Sequence, residues 1–412
     1  MSLPITQKYS TAAWRNAIFA VFALAGFGMA NWLSRVPAVR DELGATPGEM
    51  GMIVFGIAIG SISGLLCSSH IIAALGTRNT IRWFLAFGVL GLPAAGIAVS
   101  FGSSIGAIIA LAFFGIGFSV CDVAMNVSGA ANERALGRNI MPVFHALFSG
   151  GTVVGVFIGA QAELLGIPIT VHMGVIAALV FVLVIVATVY IPELPADEPE
   201  EPSEAGASST PAWKTRLSVW GKKRTLLLGA IVLGMALAEG SANDWLPLAM
   251  VDGHGFDNAL GAAILGVFLA AMTIGRLGGV FLLDRFGRVP VLLGCAAFAA
   301  VGLGLTIFAT VPWLAVVGVV LWGLGASLGF PVGMSAAADD PKTATATVSA
   351  VATIGYVAFL VGPPAIGFLG DHVGLLHALI FVLILIVLAG LASPAAREPK
   401  VTATKSSALT NG

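Results

Sequence analysis

Gly275-Arg-Leu-Gly-Gly-Val-Phe-Leu-Leu-Asp284-Arg285-Phe-Gly287 aligns without a gap on Gly64-Leu-Leu-Cys-Ser-Ser-His-Ile-Ile-Ala-Ala-Leu-Gly76. Each stretch closes a long apolar run. Two further matches fall in the same order: Gly115-Ile-Gly-Phe-Ser119 with Gly323-Leu-Gly-Ala-Ser327, and Ala30-Asn-Trp-Leu33 with Ala242-Asn-Asp-Trp-Leu246. Self-similarity at a fixed spacing indicates a unit built more than once. This chain reads as two related halves.

Composition says what those halves are dissolved in. Hydrophobic residues make up 58% of the 412 and charged residues only 10%, against about 25% charged in a soluble domain. So much apolar surface cannot be hidden in one soluble core, so the solvent is lipid. The 52 glycines suit helices that approach closely in a bilayer. A net charge of −1 offers nothing to nucleic acid. Cys67, Cys121 and Cys295 lie far apart in apolar runs, which suggests neither a disulfide framework nor a zinc site.

A span needs about 20 apolar residues. Twelve candidates appear, at 14–36, 49–71, 81–101, 104–127, 141–163, 167–191, 225–250, 259–283, 289–309, 313–336, 344–369 and 374–394. The first is a full bilayer long and lacks a small-residue cleavage site, so it reads as a span and not a leader. The expected organisation is an N-terminal six-helix bundle over 1–191, a linker over 192–224, a C-terminal bundle over 225–396 and a tail over 397–412. Pro192 to Pro211 is rich in Pro, Glu, Ala and Ser, the composition of a spacer. Trp213 to Arg224 is basic and amphipathic and either lies along headgroups or leads into span seven. With both termini inside, 17 of the 20 lysines and arginines are cytoplasmic. Only Arg35 and Arg40 fall outside, and Arg276 lies within a span. The positive-inside rule selects that topology.

Twelve spans in a six-plus-six repeat about a central linker resemble the major facilitator superfamily. The ending Asp284-Arg285-Phe-Gly287-Arg288 after span eight is similar to that superfamily's loop motif. Its glycine is displaced by one, to Gly279, and Ala73 stands at the aspartate's place in the first half. Asp122-Val-Ala-Met-Asn126, His145-Ala-Leu-Phe-Ser-Gly150 and Glu239-Gly-Ser-Ala-Asn-Asp-Trp245 resemble the YbjJ-type and MosC-type (rhizopine-transporter-like) bacterial branch, related to the fucose permeases. Fucose permeases have an acidic residue in span four, where this chain has Asp122. They have another in span one, where this chain has Asn31-Trp-Leu-Ser-Arg35. The resemblance implies an all-α membrane protein of two pseudo-symmetric six-helix bundles. It also implies a sugar-like or cyclitol-like solute and, by pseudo-symmetry, a contact of Asp284 with the start of span five around 141–143.

The residues themselves point to a path through the bilayer, because ionisable groups inside spans are rare and usually functional. Asp122 lies roughly 26 Å of helix rise beyond Ile105. It shares a face with Ser119 and Asn126. A carboxyl there that gains and loses a proton as the cavity switches sides is the expected coupling group. His145 and Ser149, one turn apart in span five, are placed to meet Asp122, and an Asp122–His145 pair would titrate as a unit. Glu239 shares a face with Asn243 in span seven and is the matching coupling carboxylate. The alternative for Glu239 and Asp244 is a salt bridge, with Arg35 as partner. Asn31, Asn126, Ser149, Asn243, Trp245 and Tyr356 are the expected solute contacts; Trp245 either stacks on solute or anchors at the interface. Arg35, Asp244, Asp284, Arg285 and Arg288 are the expected gating charges, the last two through ion pairs with the other half. Pro363-Pro364 should bend span eleven.

No phosphate-binding loop and no cluster of metal ligands appears, so neither ATP, a cofactor nor a metal is expected. The isolated His145 and His172 do not assemble the nucleophile or base that a membrane enzyme needs. The reading is a bacterial inner-membrane secondary transporter, a monomer with both termini cytoplasmic, whose partners are a small polar solute, protons and lipid, with no nucleic acid. Proton-coupled symport is expected. The alternative, favoured by sparse polar groups, is proton-antiport efflux of lipophilic or drug-like compounds.

Overall fold

The computed structural model describes residues 10–138, 140–194, 218–340 and 343–398. Most of the expected linker, the start of its basic stretch, Lys342 and most of the tail lie outside the described residues. Among the described residues, twelve helices are long and apolar enough to cross a membrane. In order these spans are Thr11–Ser34, Pro47–Leu75, Thr77–Ser100, Ser104–Leu136, Met141–Leu164, Ile169–Thr188, Lys223–His254, Asn258–Gly279, Arg288–Phe308, Pro312–Ala337, Ala346–Val373 and Leu375–Ala396. A short helix, Val36–Leu43, joins spans one and two. The end of the molecule where spans one and seven begin is called here the terminal end, and the opposite one the far end.

Each predicted span is present, and the differences are local. Span four runs on to Leu136, past the apolar run that suggested an end at 127, and stops at Gly137 in the left-handed conformation. Span three breaks around Val89 and Leu90 and span ten around Ser327 and Leu328. Pro93 and Pro331 lie four residues beyond Val89 and Ser327, where a proline ring clashes with that carbonyl. Span eleven holds Pro363 and Pro364 inside one continuous helix. The prolines mark where it crosses span two, with Gly51 against Pro363 and Pro364.

The repeat is a repeat of packing. Span one packs on five and six, two on four, and three on four and six. Span seven packs on eleven and twelve, eight on ten, and nine on ten and twelve, the same pattern. The halves meet through span two against eleven and span five against eight, two contacts that exchange under the same symmetry. Glycine makes the close packing possible. A methyl added at Gly56 or Gly64 of span two would sit 2.6 Å from the Ile108 carbonyl or 2.7 Å from that of Ile116. Gly76 and Gly287, the ends of the aligned stretches, both have φ of 75°, a conformation that glycine alone adopts without cost.

The matched Asn-Trp stretches also have a packing reason. Trp32 and Trp245 are fully buried.

Candidate functional site

Between the halves lies a cavity of about 320 Å³. Span four supplies Phe118, Ser119 and Asp122, span seven Asn243 and Asp244, span eleven Tyr356 and Phe359, and span two Ser61. The rest of its wall is apolar. Each half therefore presents one carboxyl, and no basic side chain is among the lining residues. Asn126 donates from Nδ2 to the Asp122 carbonyl at 2.8 Å and to Asp122 Oδ1 at 3.3 Å. The amide oxygen of Asn243 is buried and has no hydrogen-bond donor among the described residues.

A second, larger chamber of about 810 Å³ lies toward the terminal end. His145 and Ser149 of span five face Thr273, Arg276, Asp284 and Arg288 across it. Arg276, to which the sequence assigned no role, donates from Nη2 to Glu239 Oε2 at 2.9 Å and from Nε to the Ser327 carbonyl at 3.3 Å. Glu239 is thus in an ion pair, with Arg276 and not with Arg35.

Several sequence expectations are corrected. Asp122 and His145 do not pair; they open on different chambers. The reason is depth. Because span four continues to Leu136, Asp122 lies roughly 21 Å of rise from its terminal end, whereas His145 is roughly 6 Å into span five. His145 packs edge-on against Phe22, ring centroids 5.3 Å apart. Asn31 is fully buried away from the cavity, donating to the Phe27 carbonyl at 2.8 Å and meeting His172 Nε2 at 3.0 Å. Arg35, 3% exposed, pairs with Glu163 at 3.0 Å and donates to the Ile167 carbonyl at 2.9 Å. Both turn inward because span one packs on spans five and six of its own half. Burial draws the Arg35 pKa below its ordinary value, and Glu163 and then Glu42 oppose that.

Trp245 is neither a cavity wall nor an interfacial anchor; its ring is buried against Gly367 of span eleven. The place expected for Asp284 at the start of span five is taken by Glu133, whose Oε2 accepts from the amides of Ile140 at 2.6 Å and Met141 at 2.8 Å. Arg288 binds within its own half, to Asp339 Oδ1 at 2.8 Å, and Arg285 lies over the ring of Phe286 at 5.5 Å. Neither makes the expected bridge to the other half in this conformation.

Polar contacts across the halves gather at the far end. Arg40 pairs with Asp252. Asn258 donates to Asp41 Oδ2 at 2.8 Å and to Glu163 Oε1 at 3.4 Å. The amide of Gly48 donates to Asp371 Oδ1 at 3.0 Å. Asp41, Asp252, Asn258, Glu163 and Asp371 were missed in the sequence because span-end polar residues read as solvated caps. The detectable trace was their register: Glu163 and Asp371 close the repeat-related spans five and eleven.

Two pseudo-symmetric six-helix bundles with a largely apolar, carboxyl-bearing cavity on their shared seam form the architecture of a membrane transporter. Comparison with known proteins gives the family. A profile described as Major Facilitator Superfamily matches residues 18–356 and 264–410. An uncharacterized MFS-type transporter of Yersinia pestis is 31% identical over 368 residues, 89% of this chain and 90% of that one. The membrane protein MosC of Rhizobium meliloti is 24% identical over 390 residues, 92% of this chain and 89% of MosC. The crystal structure of the E. coli fucose:proton symporter FucP (N162A) superposes with a TM-score of 0.60 at 15% identity, covering 93% of this chain and 98% of that one. The chain belongs to the Major Facilitator Superfamily.

Proposed function

We propose that this transporter takes up a small polar solute, sugar-like or cyclitol-like, with protons across the bacterial inner membrane. The observation that carries the reading is the cavity wall: one carboxyl from each half, an amide oxygen without a donor among the described residues, and no basic side chain. About 320 Å³ is at the small end of ligand pockets, which run from roughly 300 to 1,000 Å³. That favours a compact solute over a bulky lipophilic one. A fucose:proton symporter and a D-xylose-proton symporter share the fold.

Asp122 carries the coupling proton. A bare carboxylate enclosed away from water is costly, so the halves pass through the closed state more readily once it is protonated. Asn126 holds the carboxyl toward the cavity. Asp244 is its counterpart from the second half, taking the place that the sequence gave to Glu239, which is paired with Arg276. Asn243, Ser119 and Tyr356 meet solute hydroxyls. His145 and Ser149 line the route to the terminal end. By the bias of lysine and arginine that end is cytoplasmic, so the conformation described has its far, periplasmic side latched.

The test is a thermal-stabilisation screen of sugars, cyclitols and lipophilic cations at two pH values. A ligand of the folded state raises its apparent stability. A polar hit with pH-dependent affinity, followed by gradient-driven uptake in proteoliposomes, is the expected result. Stabilisation by lipophilic cations alone, or accumulation indifferent to collapsing the proton gradient, would overturn the proposal.

A further inference from the structure

The far-end contacts repeat with the fold. Asp371 ends span eleven and sits on the first turn of span two. Glu163 ends span five and meets Asn258, the first residue of span eight. Spans five and eleven are repeat counterparts, as are two and eight. We infer that the periplasmic side is closed by one latch used twice, a carboxylate set on the opening turn of the other half's helix. With the Arg40–Asp252 pair and the Asn258–Asp41 bond beside them, these contacts bias the balance between the two access states. The inference goes beyond the choice of solute and needs only that the halves rock.

The helix starts explain why a carboxylate from elsewhere fits. The first amides of a helix have no partner inside it and carry partial positive charge. In span two, Thr46 accepts from the Glu49 amide at 3.3 Å and Glu49 accepts from the Thr46 amide at 2.9 Å. That reciprocal cap leaves the Gly48 amide, which Asp371 takes at 3.0 Å. Only glycine leaves room, since a side chain at 48 would run into the Asp371 carboxylate. The cap of span two is thus completed by the other half.

In span eight, Asp257 caps the Leu260 amide at 2.7 Å from within its own half. The Asn258 side chain then reaches out to Asp41 and Glu163, both across the seam. Glu163 is fixed in place by buried Arg35, and Arg35 by the Ile167 carbonyl. Arg35, expected from the sequence as a gating charge, therefore backs the latch. Opening the far end must break both contacts together.

The test reads conformation with no solute present, so it stands apart from the transport reading. Cys67, Cys121 and Cys295 are replaced by serine. Spin labels go on Phe101→Cys and Thr310→Cys, exposed positions in far-end loops of opposite halves. Pulsed electron resonance in nanodiscs then gives the distance distribution. The unaltered latch should give mainly the short distance. Asp371→Ala and Asn258→Ala should each shift the open-to-closed ratio about tenfold, the order expected for one charge-assisted hydrogen bond, and together by more. Asp371→Asn, which keeps an acceptor, should shift it less. Glu49→Ala breaks the cap of span two without touching the other half and should leave the distribution alone. Unchanged distances in the double variant, or an equal shift from Glu49→Ala, would overturn the inference.

Discussion

Glu239 is the residue on which sequence and structure disagree most usefully, and a double-mutant cycle with Arg276 decides its role. The pair joins spans seven and eight at 2.9 Å, and both helices belong to one half. Its side chains are 22% and 37% exposed. Breaking a fully buried pair by removing one partner costs about 3–5 kcal/mol, and a solvent-exposed pair is worth about 0–1 kcal/mol. Partial exposure places this pair between them, so Glu239→Gln or Arg276→Gln alone should cost about 1–2 kcal/mol. The double variant should cost less than the sum, leaving a coupling energy of about 1 kcal/mol. The assay is chemical unfolding of purified protein in detergent, followed by proteoliposome uptake. Because the pair is carried whole by one rocking half, the double variant should still accumulate solute against a gradient. A folded double variant that equilibrates solute without accumulating it would refute this, and would return Glu239 to proton coupling.

Asp122→Asn should abolish gradient-driven accumulation while counterflow persists; one charge moved across 100 mV is worth about 2.3 kcal/mol, or roughly a 50-fold accumulation lost, and wild-type accumulation would remove Asp122 from coupling. Asp244→Asn should lower solute affinity or accumulation where Asp284→Asn does neither, measured by ligand-induced thermal stabilisation and uptake. Trp245→Ala should destabilise by about 3–5 kcal/mol, as for other fully buried tryptophans, yet leave affinity unchanged in the folded fraction; lost affinity at full stability would make it a wall residue after all. Arg35→Leu strands Glu163 and should cost about 2–4 kcal/mol in the same unfolding assay, while a neutral effect would mean that Glu163 finds water instead.

The architecture was legible because membrane insertion is a one-dimensional problem. Apolar length fixes a span. The aligned Gly64–Gly76 and Gly275–Gly287 stretches supplied the repeat. Span four was cut short at 127 for the same reason: hydropathy sees where lipid ends, but a helix continues while its backbone hydrogen bonds do.

What the sequence determined alone was the number of spans, their grouping in two halves and the presence of carboxyls inside the bilayer. Which carboxyl faces the cavity was decided by tertiary structure. Rotation of a helix about its axis depends on its neighbours, so Asp244 and not Glu239 lines the wall, and Asn31 and Trp245 turn away from it. The depth at which two antiparallel spans meet is equally absent from either one, which is why Asp122 and His145 never touch. The far-end latch needs both facts at once, because a span-end carboxylate becomes a gate only when the other half brings a hydrogen-bond donor to it, the Gly48 amide for Asp371 and the Asn258 side chain for Glu163.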